Sequence, residues 1–180
     1  KSLWSFTENR SAGSGCVMWI AESAAWYVVR VSGLTAWFMA GASLGLGVLA
    51  SSRLMAWRPA TLVGLHRWSS TSAAILVVVH VVALFFEDYA AFSAAEILVP
   101  LEVGWRSLGM AAGIVSAYLV GVIVVSSVAM RRLPRRLWRA IHLSSHPVFW
   151  LSTCPGLSVG TYVELAAVTF CGAAVVSSVL

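Results

Sequence analysis

The apolar residues of this chain come in long runs separated by short polar connections. Five stretches, roughly 26–50, 62–86, 104–129, 138–158 and 160–180, stay apolar for about the 20 residues that a helix needs to cross the hydrocarbon core of a bilayer. Each predicts a transmembrane helix, because in lipid only helices or closed barrels satisfy every backbone polar group. Strand-length segments of alternating polarity, the mark of an outer-membrane barrel, do not occur. The expected fold is an all-α membrane protein, a bundle of five transmembrane helices forming one domain over residues 25–180.

Residues 1–24 (KSLWSFTENRSAGSGCVMWIAESA) are polar and rich in Gly and Ser, and read as an outer tail or an interfacial segment. The sequence begins with Lys1 and shows no apolar signal core, which leaves room for an upstream segment, a sixth helix included. Between the second and third spans, EDYAAFSAAEILVPLEVGW mixes acids with aromatics and reads as an interfacial helix and loop. Trp26, Trp57, Trp105 and Trp138 fall where helices meet headgroups, so membrane anchoring is expected of all four.

Composition agrees with the pattern: the 180 residues are 59% hydrophobic and only 11% charged, outside the range of an ordinary soluble domain. A net charge of +5 would by itself suggest a nucleic-acid partner, but its placement argues against one. Arg53, Arg58 and Arg67 flank the first connection between helices, and Arg131, Arg132, Arg135, Arg136 and Arg139 fill the second. By the positive-inside rule both connections are cytoplasmic, and Glu8, Glu22, Glu87, Asp88, Glu96, Glu102 and Glu164 then fall on the other side. The expected topology is N-terminus outside and C-terminus inside, in the plasma (inner) membrane, with the arginines meeting the lipid bilayer's anionic headgroups. The three cysteines show no metal-ligand spacing. Cys16 and Cys154 are expected near the outer face, where a disulfide is chemically allowed, although two unpaired thiols are the favoured reading.

All four histidines lie in or at the ends of the second and fourth spans: His66 and His80 in LHRWSSTSAAILVVVHVV, His142 and His146 in AIHLSSHPVFW. Ionisable groups in a membrane are costly, so each is a functional candidate. At about 100° per residue, the fourteen-residue step from His66 to His80 returns to within about 40° of one helix face, about 21 Å farther along. Ser69, Ser70, Ala73 and Val77 lie between them on that face, small enough to admit a planar group or, equally, a neighbouring helix.

The second and fourth spans should run in the same direction, with His66 and His142 at similar depths just inside the cytoplasmic boundary. Imidazoles so placed can take the two axial positions of one haem iron, making them the candidate metal ligands; the alternative is that both merely sit at the wet interface. Arg67, next to His66, and Arg139, one turn before His142, are placed to pair with haem propionates or with lipid phosphates.

The segments HRW, EDYAAF with LVPLE, RRLPRRLWRAIHLSSHPVF and GLSVGT resemble the ferric reductase-like transmembrane domain. That family includes bacterial haem membrane proteins, the membrane part of NADPH oxidases and the haem-membrane subunit of periplasmic methionine sulfoxide reductase. The resemblance covers about residues 26–180 and implies a b-type haem protein that passes electrons across the membrane. In two-haem members one histidine pair holds an inner haem and a second pair an outer one. Carried over, the inner pair matches His66 and His142, while the outer pair matches His80 and position 155, which is Pro155 here. Proline cannot ligate iron, so one haem b, on the cytoplasmic side, is the expectation.

His146 lies about 6 Å beyond His142 by helix rise, too shallow to partner His80. It is a candidate for the haem edge or for a backbone hydrogen bond. Cys154 adjoins the outer position and is a weaker candidate ligand. Pro147 is placed to kink the fourth span. Phe149 and Trp150 read as core or lipid-facing residues, or as an aromatic bridge toward the outer side.

With no G-x-G-x-x-G fingerprint, the chain reads as an oxidoreductase-type electron-transfer subunit that depends on a partner redox protein or membrane complex for flavin and NAD(P)H. A cytoplasmic flavoprotein or a quinol would donate, and an outer acceptor would receive. The competing expectation is a non-catalytic structural subunit with a structural or vestigial haem. A transporter is disfavoured, because no acid lies mid-membrane and no paired broken helices appear.

Overall fold

The computed structural model describes the backbone of residues 4–52, 59–87, 92–102 and 107–159, and within these the side chains of 24–52, 60–87, 92–102 and 108–156. The described secondary structure is entirely helical: α1 (Trp4–Ser51), α2 (Pro59–Leu84), α3 (Ala94–Leu98), α4 (Ser107–Val128), α5 (Arg135–Leu143) and α6 (Ser145–Val159). Among the described residues three stretches are long and apolar enough to span a membrane, Ala24–Ser51, Ala60–Leu84 and Leu108–Val128. The expected fifth span, 160–180 with Glu164, lies outside the described residues, as do Arg53, Trp57, Arg58, Asp88 and Trp105 and the side chains of Glu8, Cys16 and Glu22.

Two expected boundaries change. The first helix runs back to Trp4 through the segment read as a tail. The fourth expected span is interrupted at Ser144, between α5 and α6, and among the described residues neither piece alone reaches the about 20 residues a crossing needs. Pro147 explains the break: it has no N–H to offer the carbonyl four residues back, that of Leu143, and its ring crowds that carbonyl. Ser144 closes the gap, its N–H reaching the Ala140 and Ile141 carbonyls at 3.3 and 3.2 Å and its hydroxyl donating to Ile141 O at 2.6 Å.

The helices pack as two close pairs, α1 with α2 and α4 with α6, which meet more loosely through α1 against α6 and α2 against α4. Much of what is buried is small: Ser32, Ala36 and Ser43 on α1, Ser69 and Ala73 on α2, Ala111, Ser116 and Ser126 on α4, beside a few larger residues such as Leu62 and Phe149. Lipid is as apolar as leucine, so membrane helices gain from close backbone approach rather than from large side chains driven inward. The hydroxyls of Ser32, Ser69, Ser116 and Ser126 donate to carbonyls of their own helices, as Ser69 to Leu65 O (2.9 Å) and Ser116 to Gly113 O (2.7 Å), so these are not buried at the cost of an unmade bond; that of Ser43 lies against His66 instead. Large apolar side chains point outward instead, with Val128 84% and Leu108 79% exposed, a surface suited to acyl chains and not to water.

One junction joins the two pairs. Trp37 of α1 stacks on Phe149 of α6 with ring centres 5.3 Å apart and planes at 22°, and its Nε1–H donates to Thr153 Oγ1 at 3.0 Å. On the opposite connection α3 is held by a capping box, in which the Ser93 N–H donates to Glu96 Oε2 at 2.8 Å and the Glu96 N–H to Ser93 Oγ at 3.3 Å. The Tyr118 hydroxyl ties this loop to α4 by donating to Leu98 O at 2.7 Å.

Candidate functional site

His66, near the start of α2, and His142, near the end of α5, face one another with ring centres 5.9 Å apart and planes at 77°. They come from elements, α2 and α5, that touch little elsewhere. The two imidazoles lie at one level of the bundle, the relation between them that the parallel spans led one to expect.

The His66 ring is held from behind. Its Nδ1 lies 2.8 Å from the carbonyl oxygen and 3.1 Å from the hydroxyl of Ser43 on α1. A carbonyl can only accept, so Nδ1 carries the proton and donates, which leaves Nε2 as the nitrogen with the lone pair. This is the tautomer of a metal-ligating histidine whose other nitrogen is tied to an outer acceptor.

His142 is held differently. Trp138, one turn earlier on α5, stacks on it at 5.1 Å and 18°. Both His142 Nδ1 and Trp138 Nε1 are buried with no hydrogen-bond partner among the described residues. Buried polar nitrogens are seldom left unpaired, so this corner of the molecule is chemically unfinished in a way that the His66 side is not. Trp138 was expected only as a headgroup anchor; its spacing of four before His142 on a helix was the available signal. Trp26, the other described belt residue, carries Arg30 over its ring at 4.1 Å.

The remaining candidates fall around this centre. Arg67 and Arg139 are exposed at the same end of the bundle. His146 lies one turn beyond His142, near enough for their charges to interact. His80 is not brought into ring contact with another described histidine; its Nδ1 donates to Val29 O of α1 at 2.8 Å.

Position 155 faces another helix, for a Cβ built on Gly113 of α4 would come 3.1 Å from Pro155 Cγ. Cys154 is free and exposed, its Sγ 3.8 Å from Trp150 O of its own helix. Phe149 is buried, stacked on Trp37 as a core residue. The small residues between the two histidines serve helix packing: Ser69 and Ala73 are buried on the face of α2 that turns toward α1, so the room they make is taken by a helix.

Beyond local geometry, the family described as Ferric reductase like transmembrane component matches residues 32–153, a stretch that contains all four histidines and the Trp37 junction. No curated protein and no solved structure gives a match. The family match covers most of the chain and contains the facing histidines, and on it the protein belongs to the ferric reductase-like transmembrane component family, the membrane part of an electron-transfer system.

Proposed function

We propose that the chain carries one b-type haem near the cytoplasmic end of the bundle, ligated by His66 and His142, and passes electrons from a cytoplasmic-side flavoprotein or quinol to an acceptor on the outer side of the plasma membrane. The observation that carries this reading is the facing pair. With ring centres 5.9 Å apart, the two imidazoles are close enough that both could ligate one metal ion, each bond being about 2 Å long. The angle of 77° between the rings is compatible with two imidazoles sharing an axis and turned about it.

When bound, the haem supplies a one-electron ferric/ferrous couple. The chain's own residues supply the rest. His66 presents Nε2 because the Ser43 carbonyl holds its Nδ1 proton, and Trp138 backs the plane of His142. Arg67 and Arg139 are positioned to pair with carboxylates at the membrane boundary. His146 adds a polar edge one turn deeper.

A second reading, a non-catalytic subunit whose haem is structural, draws on Pro155. The outer ligand implied by the family is replaced there by a residue packed toward α4, and an electron path lacking that step is less complete. A redox titration of the purified protein separates the two. A reducible bis-imidazole spectrum that an outer-side acceptor reoxidises supports transfer, and a haem that does not reoxidise supports the structural role.

A further inference from the structure

We infer that α1, which supplies no ligand to the proposed site, is the element that aims both histidines of α2, and that Gly33 and Gly47 are the positioning residues that let it do so. Val29 O receives the Nδ1–H of His80 at 2.8 Å, and Ser43 O receives that of His66 at 2.8 Å. One turn after each carbonyl stands a glycine whose missing side chain makes room for the same ring. A Cβ at Gly33 would lie 2.8 Å from His80 Nδ1 and 2.9 Å from its Cε1, and one at Gly47 would lie 3.3 Å from both corresponding atoms of His66.

The two arrangements are copies. Val29 to Ser43, Gly33 to Gly47 and, in the reverse direction on α2, His80 to His66 are all steps of fourteen residues, about four helical turns. Antiparallel helices in fixed register place one carbonyl and one glycine behind each imidazole. Each carbonyl selects the Nδ1–H tautomer, and each glycine leaves room for the Nδ1–Cε1 edge of the ring against α1, so Nε2 is directed away from the accepting carbonyl at both levels. The copies differ in tolerance. At Gly33 even a methyl group cannot be placed without moving the ring or the helix, whereas at Gly47 a shift of a few tenths of an ångström suffices. At the inner level the Ser43 hydroxyl adds a second oxygen 3.1 Å from Nδ1, and Val29 has no counterpart to it.

The test uses the full chain labelled with 15N-histidine, solubilised and reduced so that any bound low-spin haem is diamagnetic. Nitrogen resonances report which ring nitrogen of each histidine carries the proton. Wild type is expected to show the Nδ1–H form for His66 and His80. Gly33→Ala should shift the His80 resonances and leave those of His66, and Gly47→Val should do the converse. Gly45→Ala, at a position where an added Cβ meets nothing within 4 Å, should move neither.

The milder Gly47→Ala guards against simple misfolding: it should change the haem's midpoint potential at unchanged haem content, while Gly45→Ala leaves the potential where it was. Gly33→Ala without effect on His80, or Gly45→Ala with an equal effect, would overturn the inference. The potential readout rests on the proposed haem, but the resonance readout does not. A haem-free wild type therefore counts against the electron-transfer reading alone.

Discussion

The His66 and His80 ends of α2, the proposed inner and outer ends, hold their histidines alike from one side and differ on the other. At both levels a carbonyl of α1 takes the Nδ1 proton at 2.8 Å. At the inner level His142 stands opposite, 5.9 Å away and backed by Trp138. At the outer level the residue implied by the family is Pro155, packed toward Gly113 of α4. The α1–α2 pair thus holds two imidazoles in the same way, and the α5–α6 segment sets a further histidine against only one of them.

The largest effect expected from this contrast is on haem retention. His66→Ala or His142→Ala should abolish binding, whereas His80→Ala should leave most of it, as read from absorbance per protein. Equal loss in all three variants would erase the distinction between the ends. Next in size, Pro155→His supplies the outer imidazole, and the haem-to-protein ratio should rise from one toward two. An unchanged ratio would show that the α4–α6 contact at Gly113, and not the absent imidazole, closes the outer end.

The junction between the two pairs should matter to both levels. Trp37→Ala removes the stack on Phe149 and the bond to Thr153 and is expected to cost about 3 kcal/mol, seen as a lower melting temperature in detergent. Thr153→Val, which removes the acceptor of the indole N–H and the hydroxyl's own bond to Phe149 O but keeps the ring stack, should cost about 1 kcal/mol. A Thr153→Val loss as large as that of Trp37→Ala would mean that the hydrogen bond, and not the ring contact, joins the pairs.

The smallest effect is on the outer connection. The Ser93 N–H, and after it the Ser93 hydroxyl, hold the Glu96 carboxyl below its usual range. A lowered folded value means that the cap's contribution is present above the ordinary carboxylate range and is lost as pH falls through the lowered one. Amide exchange in α3, corrected for its intrinsic rate, should therefore quicken at acid pH, and in Glu96→Gln this pH dependence should vanish.

Much of the inner end was legible in the residues. The fourteen-residue step put His66 and His80 on one face by helix arithmetic, the arginines marked one end of the bundle, and parallel spans brought His142 to the depth of His66. Pro147 announced a break, although the pattern of apolar residues alone ran straight through it as one span. The role of Ser69 and Ala73 was not legible, because small residues make room for a helix or for a planar group equally well. Trp37 gave no signal, since a tryptophan in an apolar run looks the same whether it meets lipid or Phe149.

The part played by α1 was hidden for another reason. A backbone carbonyl has no letter in the sequence, so Val29 and Ser43 do not advertise what they accept. The glycines did carry a trace of it: Gly33 and Gly47 repeat the spacing of His66 and His80, a match visible only once the two helices are set antiparallel and in register.

The most direct test of the central claim is the haem-to-protein ratio of the purified chain, measured together with the spectrum of its reduced form. One b-type haem per chain with two imidazole ligands is the predicted result. No haem, or a full second haem bound to the wild-type chain, would contradict it.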